Sequence, residues 1–257
     1  MTWLHYAREI LDQIETTQSD GIKAASEIAA DSIGAGSVMF AAGTGHSRMA
    51  VEELFPRYGS FPGFYPLVEL STTFHTEVVG TNGQRQAMFI ENIEGLADAV
   101  MANFDLHPPQ SIILFSASGQ NAVTIELGMI AAAHGLPVVA VTSLAERRTG
   151  VARHSSGKRL ADVADVVIDM CTPVGDALCW IDGLDTPVGP STTLASTAIV
   201  NLMKVATARL LMARGAMPSV LTSAQVVGSE RSRELFEDAY LDQAERSGPV
   251  LRTRSTR

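Results

Sequence analysis

Cysteine is scarce in this 257-residue chain: there are two, Cys171 and Cys179, and they do not make a C-x-x-C pair. That supply builds no disulfide framework and no thiolate metal site, so free thiols in a reducing compartment are expected. Aromatic residues make up 6% of the chain, and Lys plus Arg, 19 in all, are outnumbered by 28 Asp plus Glu, for a formal net charge of −9. So acidic a chain has little to offer nucleic acid, whose non-specific affinity rests on phosphate neutralisation. Its basic clusters are confined to 147–159 and 252–257. Apolar runs are cut by charges or glycines before they form an uninterrupted membrane span. The opening MTWLHYAREILDQIE mixes acids with apolar residues and reads as an amphipathic helix rather than a secretory signal. The expectation is a soluble, cytoplasmic protein with no nucleic-acid or membrane partner. Histidines stand at 5, 46, 75, 107, 134 and 154, without H-x-x-x-H or H-E-x-x-H spacing, so neither a metal nor another cofactor is expected.

What is present is an alternation. Short apolar runs at 37–42, 65–70, 111–116, 137–142 and 165–170 are strand candidates. Helical patterns cover 4–18 and 21–33, then 48–54, 84–103 and 122–134 between the strands. Strands apolar on both faces belong to a parallel sheet covered by helices, which predicts a doubly wound α/β fold: a five-stranded parallel sheet flanked by helices. The prediction is one domain over 1–245, with 246–257 as a disordered tail. The stretch TPVGDALCWIDGLDTPVGPSTT is rich in turn formers and holds no clear strand. The segment 191–214 is apolar on nearly all sides, as a helix buried in a core or a subunit interface would be.

Two turns stand out. The first strand runs into Gly43-Thr44-Gly45-His46-Ser47, and the third into Ser116-Ala117-Ser118-Gly119-Gln120-Asn121. The first is a partial G-x-G-x-x-G fingerprint, with Glu69 near the end of the next strand where a ribose-binding acid would lie. Arg48, however, stands in place of the third glycine, and it blocks the close helix approach that a dinucleotide site needs. The alternative is an anion site. Thr44, Ser47, Ser116, Ser118 and Asn121 supply polar side chains beside backbone N–H groups at helix starts. Ordinary N-capping uses the same residue types. Two matched turns on one sheet favour a ligand, because open parallel sheets bind ligands at the carboxyl ends of their strands.

GTGHSRMAVEELFPRYG and FSASGQNAVTIELGMIAAAHGLPVVAVTS resemble the two signature regions of sugar isomerase (SIS) domains. EELFPRY is similar to phosphoheptose isomerase, and the fuller pattern is similar to N-acetylmuramic acid 6-phosphate etherase. So is IENIEG, where that family has an acid-bearing helix start. GPSTTLASTAIVNLMKVATARLLMARG resembles the etherase's final core helix without its Arg-Met-Lys, and the layout through GAMPSVLTSAQVVGSERSRELFEDAY resembles a group of SIS proteins described as sugar isomerases. The resemblance covers about 20–240.

It implies phosphosugar binding by Gly43, Thr44, Gly45, His46, Ser47, Ser116, Ser118, Gly119, Gln120, Asn121 and Ser191, and catalysis by Glu53 and Glu94. The roles of Glu52 against Glu53, and of Glu91 against Glu94, stay open. The histidine that phosphoheptose isomerase carries on its last helix is missing; His75 is the candidate to replace it. Chemically, two carboxylates suit abstraction of the proton next to an open-chain sugar's carbonyl and protonation of an oxygen. The enediol then isomerises or expels a C3 group. The implied activity is metal-free lyase chemistry on an N-acetylamino sugar 6-phosphate, with aldose–ketose isomerisation or a non-catalytic sensor as alternatives. A homodimer or larger homo-oligomer with the site at a subunit interface is also implied.

Overall fold

A computed structural model describes residues 2–73, 77–81, 83–149 and 151–252. Two helices come first, α1 (Trp3–Thr17) and α2 (Ser19–Gly34), then β1 (Met39–Gly43), α3 (Arg48–Leu54), β2 (Phe64–Leu67) and α4 (Leu70–Thr73). The middle of the chain forms α5 (Gln84–Ile90), α6 (Leu96–Met101), β3 (Ser111–Phe115), α7 (Ala122–Ala133), β4 (Val138–Thr142), α8 (Leu144–Arg147) and β5 (Val166–Asp169). The last part adds β6 (Ala177–Cys179), β7 (Val188–Pro190), α9 (Thr192–Ala213), α10 (Ala224–Val227) and α11 (Ser229–Ser247).

The main sheet is five-stranded, in the order β2-β1-β3-β4-β5, and every pairing is parallel. Alternation along each strand divides its side chains between two cores. Met39, Ala41, Ile113, Phe115, Val139 and Val141 face the side covered by α1, α2 and α9. Phe40, Ala42, Ile112, Leu114, Val138 and Ala140 face the side covered by α6 and α7. The strands are therefore apolar throughout, as their sequence requires. The chain order reverses between β1 and β3, and Gly43 pairs with Phe115. The two polar turns thus leave the sheet side by side, at its topological switch point.

Several expectations change. The helix expected over 84–103 divides in the turn 91–95: α5 ends at Ile90, and Gly95, with φ +89°, precedes α6. The turn-rich stretch after 169 holds an antiparallel pair, β6 with β7. These strands are three residues long, too short to show a period. The mostly polar α11 is fastened at the β2 edge of the sheet. There Gln243 Oε1 accepts from Gly63 N at 2.9 Å, and Gln243 Nε2 donates to the Phe64 carbonyl at 3.2 Å. The chain expected to be a disordered tail from 246 stays packed as far as Arg252: Val250 is buried and Arg252 N donates to the Asn103 carbonyl. By length and composition α9 is apolar enough to cross a membrane. Here it packs on α1, α2 and α3, with Ala195, Ile199, Val200 and Met203 fully buried and Leu202, Val205 and Met212 exposed.

Gly43 fixes the first turn, because a Cβ there would lie 2.8 Å from the Ser47 carbonyl oxygen. Gly43→Ala must push the turn off the strand end. Overpacking of this kind costs about 1–3 kcal/mol, which a denaturant titration will show as a lower midpoint at unchanged slope.

Candidate active site

A cleft of about 420 Å³ opens above the carboxyl ends of β1 and β3. The turn after β1 contributes Thr44, Gly45, His46 and Ser47, and the turn after β3 contributes Ser116, Ser118 and Asn121. The other sequence-predicted residues, Glu91 apart, are not among the described lining. Gly43 and Gly119 shape the turns from beneath; Gly119 has φ +64° and room for no Cβ, which would lie 2.9 Å from Thr142 Oγ1. Gln120 is buried outside the lining. Ser191 is fully buried and donates its hydroxyl to the Asp176 carbonyl at 2.7 Å, next to the lining residues Pro190 and Thr192. Glu52, Glu53 and Glu94 are absent from the lining, and His75 lies outside the described residues.

Two carboxylate residues line the cleft, Glu91 and Asp176, and Glu91 is the one linked to both turns. The Thr44 hydroxyl donates to Glu91 Oε2 at 2.6 Å, and Asn121 Nδ2 donates to Thr44 Oγ1 at 3.1 Å. One residue from each turn thus joins Glu91 in a single polar chain. The backbone repeats the link, since Val123 N at the start of α7 donates to the Glu91 carbonyl at 3.2 Å. Burial pushes the Glu91 carboxyl above its ordinary 4.5, and the Thr44 hydrogen bond only partly opposes that. A carboxyl held so can exist protonated and still exchange its proton.

Glu94 corrects the expectation. It is exposed, and its carboxylate accepts from Ser155 N at 2.7 Å and Ser155 Oγ at 2.5 Å. The end of α5 explains the difference: Glu91 caps it beside the cleft, whereas Glu94 sits beyond the helix in the turn. Glu53 also lies outside the cleft of its own chain. Its carboxylate accepts from Arg57 Nη1 at 2.7 Å and Asn201 Nδ2 at 3.2 Å, with Lys204 Nζ 3.5 Å away. Burial pushes the Glu53 carboxyl up, but hydrogen bonds from Asn201 and Arg57 and the charges of Lys204 and Arg57 outweigh it, so the net displacement is downward. Lys204 is pushed down by burial, against the pull of Glu53.

The head of α9 closes the cleft with Thr192, Thr193 and Ser196. Asp176, at φ +68°, folds its carboxylate over this helix start and accepts from Ser191 N at 2.8 Å, Thr192 N at 2.7 Å and Thr192 Oγ1 at 2.9 Å. Sequence reasoning passed over Asp176 because it lies in a turn-rich stretch; the S-T-T triplet after a Gly-Pro was the available signal. Among the described residues, no lysine or arginine lines the cleft. The basic residues of 147–159 make contacts within their own loop instead. Arg159 is buried and donates to the carbonyls of Glu146, Arg147 and Thr149, and Arg147 pairs with Asp162.

Residues 2–143 match the profile of the SIS domain. A UPF0309 protein of Thermoanaerobacter pseudethanolicus is 33% identical over 92% of this chain and 96% of its own. A UPF0309 protein of Streptomyces coelicolor is 32% identical over 88% of each. Among solved structures, a phosphoheptose isomerase from Francisella tularensis superposes with a TM-score of 0.50 at 13% identity, over 80% of this chain and 95% of that one. That similarity is one of fold.

Glu91 and Glu53 predict opposite stability effects. A raised folded pKa means ionisation of Glu91 costs stability above 4.5, a cost absent in acid. Glu91→Gln, which keeps an acceptor for Thr44, will raise Tm at neutral pH and converge on the parent in acid. A lowered folded pKa means Glu53 contributes stability above 4.5 and loses it as pH falls through its folded value. Glu53→Gln will destabilise by about 1–2 kcal/mol at neutral pH, between the worth of an exposed pair and a buried one, and again converge in acid. Melting curves across pH check both signs.

Proposed function

The chain belongs to the SIS-domain family, and from that premise we propose that it binds a phosphosugar in the cleft and transfers protons at the sugar's C2 and C3. The observation that carries the reading is Glu91, desolvated in the cleft and held by Thr44 between the two polar turns. The phosphate is held by the hydroxyls of Ser47, Ser116 and Ser118, with Thr44 and Asn121 ordering the floor, and by N–H groups at the start of α7. His46, exposed at the rim, contacts the sugar.

Two carboxyls displaced in opposite directions divide the labour. Glu53, kept anionic by its donors, is the base that takes the C2 proton. Glu91, protonated more readily, is the acid that protonates the C3 leaving group, and a phosphate dianion bound nearby pushes it further the same way. The substrate is an N-acetylamino sugar 6-phosphate such as N-acetylglucosamine 6-phosphate, and the reaction is β-elimination. Because Glu53 lies outside its own chain's cleft, the complete site is proposed to form in a homodimer, with Glu53 reaching the neighbouring subunit's cleft. Asn201, which holds Glu53, supports this: it lines an apolar groove between α9 and the first two helices, beside Leu202 and Val205.

A second reading follows from the cleft taken alone. With Glu91 as its one carboxylate free of a cap, a single group can carry the proton from C2 to C1, which is aldose–ketose isomerisation.

Proton NMR in deuterated water with N-acetylglucosamine 6-phosphate separates these. Elimination replaces the C2 proton signal with new vinyl resonances. Glu53→Gln will abolish C2 exchange, whereas Glu91→Gln will keep exchange and lose elimination, each by about 10²–10⁴-fold. Mixing the two inactive variants after subunit exchange will restore part of the activity, since one site of each mixed dimer is intact. Exchange that survives in Glu53→Gln and vanishes in Glu91→Gln, with no rescue on mixing, moves the base to Glu91 and the reaction to isomerisation; fructose 6-phosphate is then the substrate to test. Binding without exchange for every phosphosugar makes the protein a sensor.

A further inference from the structure

Glu94, displaced from the cleft, takes part in a second cluster. It stands in the turn between α5 and α6, Glu126 lies on α7, and His154 lies in the loop that follows α8. One ligand atom from each, two carboxylate oxygens and an imidazole nitrogen, fall within 4.8 Å of one another. His154 Nε2 is 3.5 Å from Glu126 Oε1 and 4.0 Å from Glu94 Oε1. The His154 side chain is only 5% exposed. Among the described residues, it is the one ion-pair partner of either glutamate. A neutral imidazole leaves two carboxylates facing each other uncompensated.

Each group is already aimed. Gly95 N donates to both oxygens of Glu126 at 2.9 Å, and Ser155 holds Glu94 through N and Oγ. An ionised carboxylate has about four acceptor sites, so capacity remains after these bonds. Ser156 Oγ lies 2.8 Å from His154 Nδ1, the outer partner that a metal-binding imidazole needs. Ser156 N also lies 3.1 Å from Nδ1. A cation at Nε2 leaves Nδ1 to carry the ring proton, which Ser156 Oγ accepts.

We propose that Glu94, Glu126 and His154 form a site for a first-row divalent cation, with water completing the shell. Mixed carboxylate and imidazole donors suit Mn²⁺ or Zn²⁺ rather than the thiolate-seeking ions. Ligand atoms at about 2.0–2.1 Å from a tetrahedral ion stand about 3.3 Å apart. The cluster therefore needs a side-chain closure of up to about 1.5 Å, which Glu94 makes by moving together with Ser155, both being exposed. The bound cation pins loop 151–159 to α7 and to the turn three residues after Glu91. Linear spacing hides the set because its members come from three segments.

Mn²⁺ is the probe, since thiols do not compete for it strongly. Titration of the metal-stripped full-length protein, followed by electron paramagnetic resonance, is expected to give one Mn²⁺ per chain with spin-echo modulation from one imidazole nitrogen. His154→Gln removes the modulation, and Glu126→Gln and Glu94→Gln each weaken binding tenfold or more. Glu94→Gln changes an exposed side chain and serves as the folded control, verified by circular dichroism. Trypsin cleavage at the exposed Arg148, Arg153 and Lys158 slows when Mn²⁺ is added. The proposal is overturned if no Mn²⁺ binds at millimolar concentration, if nitrogen modulation persists in His154→Gln, or if Glu91→Gln rather than Glu126→Gln removes the ion.

Discussion

The hydrogen bond from the Thr44 hydroxyl to the Glu91 carboxylate, 2.6 Å long, joins what the fold otherwise only brings near. Thr44 leaves the end of β1; Glu91 arrives from α5 on the far side of a long connection. Asn121, heading α7, completes the link from the end of β3. Parallel pairing of β1 with β3 sets the two turns at one level, and this bond converts that proximity into a floor with an acid in it. Sequestered from water and facing hydroxyls, the acid holds its proton more tightly than a surface carboxylate would.

The second acid owes its character to α9. A long apolar helix carrying one buried lysine must give that lysine an anion, and Glu53 is that anion. Lys204 also donates to the Glu53 carbonyl at 2.8 Å, so the end of α3 and the middle of α9 are fixed together. The pairing sets the charge state of Glu53 and simultaneously locates it beside the exposed strip of α9. Glu53 thus stands beside Asn201, which lines the apolar groove, whereas Glu91 lines the cleft.

The loop between β4 and β5 shows how the same elements serve two purposes. Buried Arg159 organises it through carbonyls, and His154 and Ser155 dock it on Glu126 and Glu94. Helix α7 thus holds the β3 turn at its start and the loop one turn later, so the position of the loop and the geometry of the cleft share a support.

The amino-acid sequence by itself determined the main-sheet strands, their parallel arrangement, both polar turns and the apolar helix α9. Each of these depends on a local period or on glycines at fixed places, such as Gly43 and Gly119. It did not determine which acid works where. Glu91 and Glu94 lie three residues apart, and the end of α5 at Ile90 leaves one beside the cleft and the other in a turn against Ser155. The β6–β7 pair, the polar α11 and the packed end through Arg252 were equally hidden, because short strands show no period and a polar helix held by Gln243 shows no apolar stripe. Tertiary structure alone decided the surroundings of Glu53, Glu91 and His154, because desolvation and charge pairing arise between residues far apart in the chain.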